Sequence, residues 1–329
     1  MPHALLSLSP VRWLVALTAA GLLHVGAQAQ TLALVSSEKD NAITVIRLAD
    51  LQLQAPIPTC KRPRHMQLSA NRQQLLVACS DSAAADVIDL RSLKSVDRIP
   101  LSDDPEIFDL SPDGRTFYVS NEDDAALSII DAASRKIVAS VPVGREPEGV
   151  KVSADGKTVY VTSEVANSVH VIDTASRKLV KTIAVGQRPR RMALSPDGKE
   201  LWVSNELGAS ISIISTAEQK VVHTLTLDLK GARASDITPV GLLIGRDGKR
   251  AYVAMGRANH VAFIDVASRQ ITERVLVGRR AWGLALSQDE SRLYVVNGLS
   301  DDLSVVDVKA ARALKSVPVG RVPHTVVLY

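Results

Sequence analysis

Aromatic residues are scarce in this sequence. Phe, Tyr and Trp together make up 3% of it, against 46% for all hydrophobic residues. A core cannot then rest on a few large rings, and Val, Ile, Leu and Ala in many short strands must supply it. Cysteine is limited to Cys60 and Cys79, and there is no C-x-x-C-H, which excludes covalently attached haem. No H-x-x-H, H-E-x-x-H or clustered Cys/His spacing suggests a metal, and G-x-S-x-G is missing. No metal ligand and no catalytic residue is therefore expected. Nor does any stretch beyond residue 29 carry the 3.6-residue apolar period of a helix longer than a turn.

Neither sign of charge dominates. There are 39 Lys and Arg against 35 Asp and Glu, too small an excess to imply a nucleic-acid partner by itself. The one long apolar run is N-terminal: Arg12 precedes Trp13 to Val25, and Ala27-Gln28-Ala29 follows as an A-x-A site. That pattern predicts a cleaved secretory signal over residues 1–29, a periplasmic location, and one domain over residues 30–329 with no membrane span.

What is present is a repeat. Arg47, Asp89, Asp131, Asp173, Ser215, Asp265 and Asp307 form one column, with steps of 42 residues except for 50 between Ser215 and Asp265. Within one unit, Pro147 to Ser153, Thr158 to Thr162, Ser168 to Asp173 and Leu179 to Val185 read as strands A, B, C and D, separated by turns. A period near 42 with four antiparallel strands is that of a propeller blade. The chain starts with strands B (Thr31 to Ser36), C (Ile43 to Leu48) and D (Leu51 to Ile57), and ends with a strand A, Val322 to Leu328. The expected fold is therefore an all-β, seven-bladed propeller, closed when the last A strand completes the first blade.

The units carry YVSN (Tyr118 to Asn121), YVTS (Tyr160 to Ser163) and WVSN (Trp202 to Asn205), then SIID or HVID, VPVG or IAVG, a Pro, and SPDG. In these motifs the chain resembles the YVTN-type, YncE-like β-propeller family across the region after residue 29. Within that family it is most similar to periplasmic propellers associated with PQQ-dependent catabolism. The resemblance implies a setting of alcohol oxidation by quinoprotein dehydrogenases. No cofactor is assigned to the chain itself.

Recurring columns, such as the SPDG turns and the Asp column, are read as structural. Function is sought where the copies disagree. The residue after the Pro that opens strand A varies as Arg64, Glu106, Glu148, Arg190, Val240, Trp282 and His324, flanked by His65, Arg191 and Arg280. A second varying column lies in the B–C turn: Glu38, Ser80, Glu122, Glu164, Glu206, Gly256 and Gly298. The D–A and B–C connections share one face, so both columns are expected at one solvated mouth of the channel, with the extra residues between Asp228 and Thr238 beside them. Offsets within their strands predict that His65 and His324 point apart. His170, His223 and His260 are read as surface residues. Cys60 and Cys79 fall at the same end of one blade, and a disulfide is expected between them.

The preferred expectation is a non-enzymatic binding propeller that recognises a periplasmic protein or a small polar ligand at this mouth. Two alternatives stay open: a lactonase-type hydrolase, as in some seven-bladed relatives, and a single-stranded nucleic-acid binder using Arg64, Arg190, Arg191 and Trp282. On the preferred reading, replacing Arg190 and Trp282 by Ala removes recognition at little cost in stability.

Overall fold

The computed structural model describes Met1 and residues 31–329. The expected signal segment otherwise lies outside these residues. The described chain forms seven antiparallel sheets arranged as blades. The fourth blade shows the common pattern, with strands Pro147–Val152, Thr158–Ser163, Ser168–Asp173 and Lys178–Ala184. Blade 1 joins the two ends of the chain: Pro323–Leu328 lies against Leu32–Ser37, pairing Val327 with Leu34 and Val326 with Val35. The ring is closed as the repeat arithmetic implies.

Strands B and C are buried almost throughout, because each sheet is covered on both faces by its neighbours. Seven apolar clusters fill the seven spaces between blades. Strand D is mostly exposed at the rim. In blade 1 this outer strand differs from expectation. It is split into Gln52–Leu53 and Ile57–Pro58, both paired to the same neighbour. Pro56, in the gap between the two segments, has no N–H to donate to a ladder, which interrupts the strand there.

The shared columns are structural, as expected. Asp131 Oδ1 accepts the Ser134 N–H, and Asp89, Asp173, Asp265 and Asp307 make the same turn bond three residues on. In SPDG, Asp113 accepts from Ser111 Oγ and from the Arg115 N–H, while Ser111 accepts from Thr116. The hydroxyl of the YVSN and YVTS motifs has a less obvious task. Ser36, Ser120, Thr162 and Ser204 each donate to the carbonyl of Arg64, Glu148, Arg190 or Val240, at the start of strand A in the next blade. These clips hold the varying column in place.

Cys60 and Cys79 are disulfide-bonded, with Cα atoms 5.8 Å apart and both residues buried. The bond ties the connection leaving blade 1 to strand B of blade 2.

Candidate functional site in the channel

Strand A is the innermost strand of each blade, and its second residue comes from the varying column except in blade 6, where Val240 precedes the strand Leu242–Ile244. Arg64, Glu106, Glu148, Arg190, Trp282 and His324 are all buried. This corrects the expectation of a solvated mouth. Seven strands converging on one axis leave so little space that side chains at this level cover one another. Arg191 and His65, one residue further along their strands, reach the same interior and are partly buried. Val240, the apolar member of the column, packs into the cluster between blades 7 and 1.

The charges are paired across blades. Arg64 is bonded to Glu106 and lies 3.9 Å from Glu38. Arg190 is bonded to Glu164, and reaches Glu148 at 3.4 Å and Glu206 at 3.7 Å. Arg191 contacts Glu148 at 3.2 Å and His324 Nε2 at 3.2 Å. Since an Arg nitrogen can only donate, His324 Nε2 accepts, and its Nδ1–H donates to Thr325 Oγ1 at 2.9 Å. The B–C column sits above. Arg188 contacts both Glu164 at 2.6 Å and Glu206 at 3.3 Å, and Arg62 reaches Glu38 and Asp104, each at 3.6 Å. Asp104, Glu106 and Glu122 bring carboxylate oxygens within 4.8 Å of one another. Deeper in the channel, Asp109 accepts from Lys151 at 2.8 Å and from Gln67 at 3.0 Å.

Ionisation is uneven across the cluster. Burial pushes the Glu106 carboxyl far above its ordinary range, and the neighbouring Glu148 charge adds to this despite Arg64. Burial acts on Glu148 too, but Arg190, Arg191 and Arg64 outweigh it and hold its pKa down. Adjacent carboxyls in one dry site cannot both ionise easily. Glu106 therefore keeps a proton, and Glu148, facing more guanidinium charge, carries the negative charge. Burial and Arg191 lower His65 to about 3, and burial with Arg64 and Arg191 lowers His324. Both imidazoles are neutral near pH 7. His65 also contributes to the lowering of His324, so the two lie near one another.

Opposite the acidic arc stands Trp282. The guanidinium of Arg280 lies 4.5 Å from its ring centroid and that of Arg190 5.2 Å, on the scale of cation–π contact. Trp282 Nε1 and His65 Nε2 are buried without a hydrogen-bond partner among the described residues. Asn121, Asn205 and Asn297 of the shared motif also carry a buried Oδ1 without a partner, but in and beside the varying columns Trp282 and His65 are the aromatic rings left with an unpartnered nitrogen. His170 is buried rather than superficial: the Gly144 N–H donates to its Nε2 and Thr182 bonds its Nδ1. That role is structural.

The residues that sequence reasoning missed are Arg62, Asp104 and Arg188, which precede the opening Pro, and the Gln67–Asp109–Lys151 chain. The column 62, 104, 146, 188, 238, 280 and 322 varies as widely as the one chosen, and that variation was the available signal.

Fold and site together define a seven-bladed β-propeller with a buried, asymmetric charged cluster at one end of its channel. A family model described as a YNCE-like beta-propeller matches residues 68–152 and 112–197, and one described as a 7-bladed beta-propeller lactonase matches residues 182–323. The first supports the YncE-like resemblance over that part of the chain. Comparison with curated proteins finds no match. Among solved structures, Kuenenia stuttgartiensis hydrazine synthase is similar at 22% identity and a TM-score of 0.76, over 84% of this chain and 92% of that one. The Pseudomonas aeruginosa periplasmic gluconolactonase PpgL is similar at 20% identity and a TM-score of 0.76, over 90% and 98%. A functionally unknown protein from Desulfotomaculum acetoxidans DSM 771 is similar at 16% identity and a TM-score of 0.77, over 91% and 98%. At these identities the likeness is one of fold.

Proposed function

We propose that the protein is a periplasmic, non-enzymatic recognition propeller working beside a PQQ-dependent alcohol-oxidation system, and that the charged channel end receives a small polar ligand or a loop of a partner protein. One observation carries the recognition: seven equivalent positions hold five residue types, and Nε1 of Trp282 in that column, like Nε2 of His65 beside it, is buried without a partner among the described residues. The N-terminal export pattern supports the compartment. The quinoprotein setting rests on the family resemblance of the repeats. Single-stranded nucleic acid suits the site poorly, because Arg64, Arg190 and Arg191 are already engaged with carboxylates.

A hydrolase is the second reading. A protonated Glu106 beside an ionised Glu148 is the kind of split pair that serves as acid and base, and the lactonase model matches residues 182–323. One experiment separates the two. Immobilised wild type and Trp282→Ala are exposed to periplasmic extract containing a quinoprotein dehydrogenase, and both are assayed on glucono-δ-lactone. Retention of a partner or ligand by wild type alone, without lactone turnover, is expected. Equal retention by both sinks the recognition reading, and turnover that disappears in Glu148→Gln supports the hydrolase.

A further inference from the structure

Blades 5 and 7 place Arg residues at equivalent points in unlike company. In blade 5, Arg188 and Arg190 lie between two carboxylates of the B–C column, Glu164 from the preceding blade and Glu206 from their own. In blade 7 the corresponding residues are Arg280 and Trp282, and the corresponding column positions are Gly256 and Gly298. Arg280 has no ion pair among the described residues, and neither do Arg257 and Arg279. Burial lowers the pKa of Arg280; Glu206 and, more weakly, Glu38 oppose this, while Arg190 and Arg257 add to it, so two further cations stand near Arg280 without a carboxylate of the described residues in contact with it. The indole of Trp282 lies beside the Arg280 guanidinium, with its buried Nε1 unpartnered among the described residues.

The fold accounts for half of this difference. The longer connection into blade 6 ends at Thr238, whose Oγ1 accepts the Arg257 N–H at 2.8 Å. It passes so close that a Cβ on Gly256 would lie 2.1 Å from Thr238 Oγ1 and 2.2 Å from its carbonyl oxygen. Gly256 also has a φ of +45°. No Glu can stand there. Gly298 is different: its nearest neighbours would be 3.7 and 3.9 Å from a Cβ, so a side chain fits. Its N–H donates to the Arg280 carbonyl at 2.9 Å, just as the Glu206 N–H donates to Arg188.

We propose that the mouth between blades 6 and 7 binds the carboxylate of a small organic acid, which stands to Arg280 as Glu164 and Glu206 stand to Arg188. Arg280 supplies the charge-assisted hydrogen bonds, the unpartnered N–H of Trp282 is a donor beside it, and Arg257 adds attraction from the rim. This names a ligand class for the recognition site proposed above and rests on that reading.

The test is calorimetric titration of the full chain with acetate, benzoate and gluconate, beside the neutral benzamide and glucose and beside inorganic phosphate. At least one carboxylate is expected to bind at millimolar concentration or better, with its neutral counterpart inert and the affinity falling as salt is raised. Arg280→Gln should weaken binding at least tenfold. Gly298→Glu, which restores the carboxylate present in blade 5, should do the same, and Trp282→Phe should weaken it less. Thermal melting of each variant verifies that it is folded. Carboxylates that bind no better than their neutral counterparts overturn the proposal. So does phosphate binding in their place, or carboxylate binding unaltered in both Arg280→Gln and Gly298→Glu. If the organic acids fail while wild type still captures a partner that Trp282→Ala loses, recognition stands and only the carboxylate assignment falls.

Discussion

Arg190 shows how far a residue's role depends on what surrounds it. Its column marks it as a recognition residue whose replacement should cost little stability. In the fold it is buried and compensates Glu148, Glu164 and Glu206 together. Removing one partner of a buried ionic cluster strands the others, at a cost on the order of 3–5 kcal/mol. Arg190→Ala is therefore expected to lower the urea midpoint sharply, correcting the earlier expectation, whereas a change at partly exposed Arg280 should not. Glu106 gives a second residue-level prediction. Its pKa is raised above 4.5 in the folded chain, so the native state holds a proton that the unfolded chain releases. Stability from this group is complete at low pH and is lost as pH rises toward the raised value. His65 and His324 act in the opposite sense, but only below their ordinary value of 6.5. Between about pH 7 and 9 the Glu106 contribution should thus stand out from theirs. Wild type should lose stability across that window, and Glu106→Gln should show a flatter profile in denaturant titrations at each pH.

At the scale of elements, the repeat motifs divide into those that shape a blade and those that join one blade to the next. The Asp turns and SPDG act within a blade and are legible from turn chemistry alone. The Ser or Thr of YVSN and YVTS acts between blades, on a carbonyl 28 to 36 residues away, which no local rule exposes. Blade 2 has Ala78 at this position, and there the disulfide ties the strand end to the preceding connection. Closing a loop of 19 residues contributes about 3 kcal/mol in the chain-entropy model. Cys60→Ser with Cys79→Ser should lower the unfolding free energy by about that amount, with the far-ultraviolet circular dichroism of the folded protein unchanged.

For the molecule as a whole, strand count, blade number, ring closure and the cystine pairing could all be read from spacing, since a 42-residue period admits few architectures and a surplus strand at one end matches a deficit at the other. The two varying columns were also visible, and the fold does gather them at one end of the channel. Burial was not visible. Whether a polar side chain meets water depends on how near seven A strands approach their common axis, and that distance is a property of the closed ring. Nor could spacing show that Glu106 keeps a proton while Glu148 is ionised, or that Thr238 occupies the space a Glu would need at position 256. Those outcomes follow from contacts between residues 18 apart (Thr238 and Gly256) and 42 apart (Glu106 and Glu148) in sequence, where distance and desolvation, rather than local pattern, set the energies.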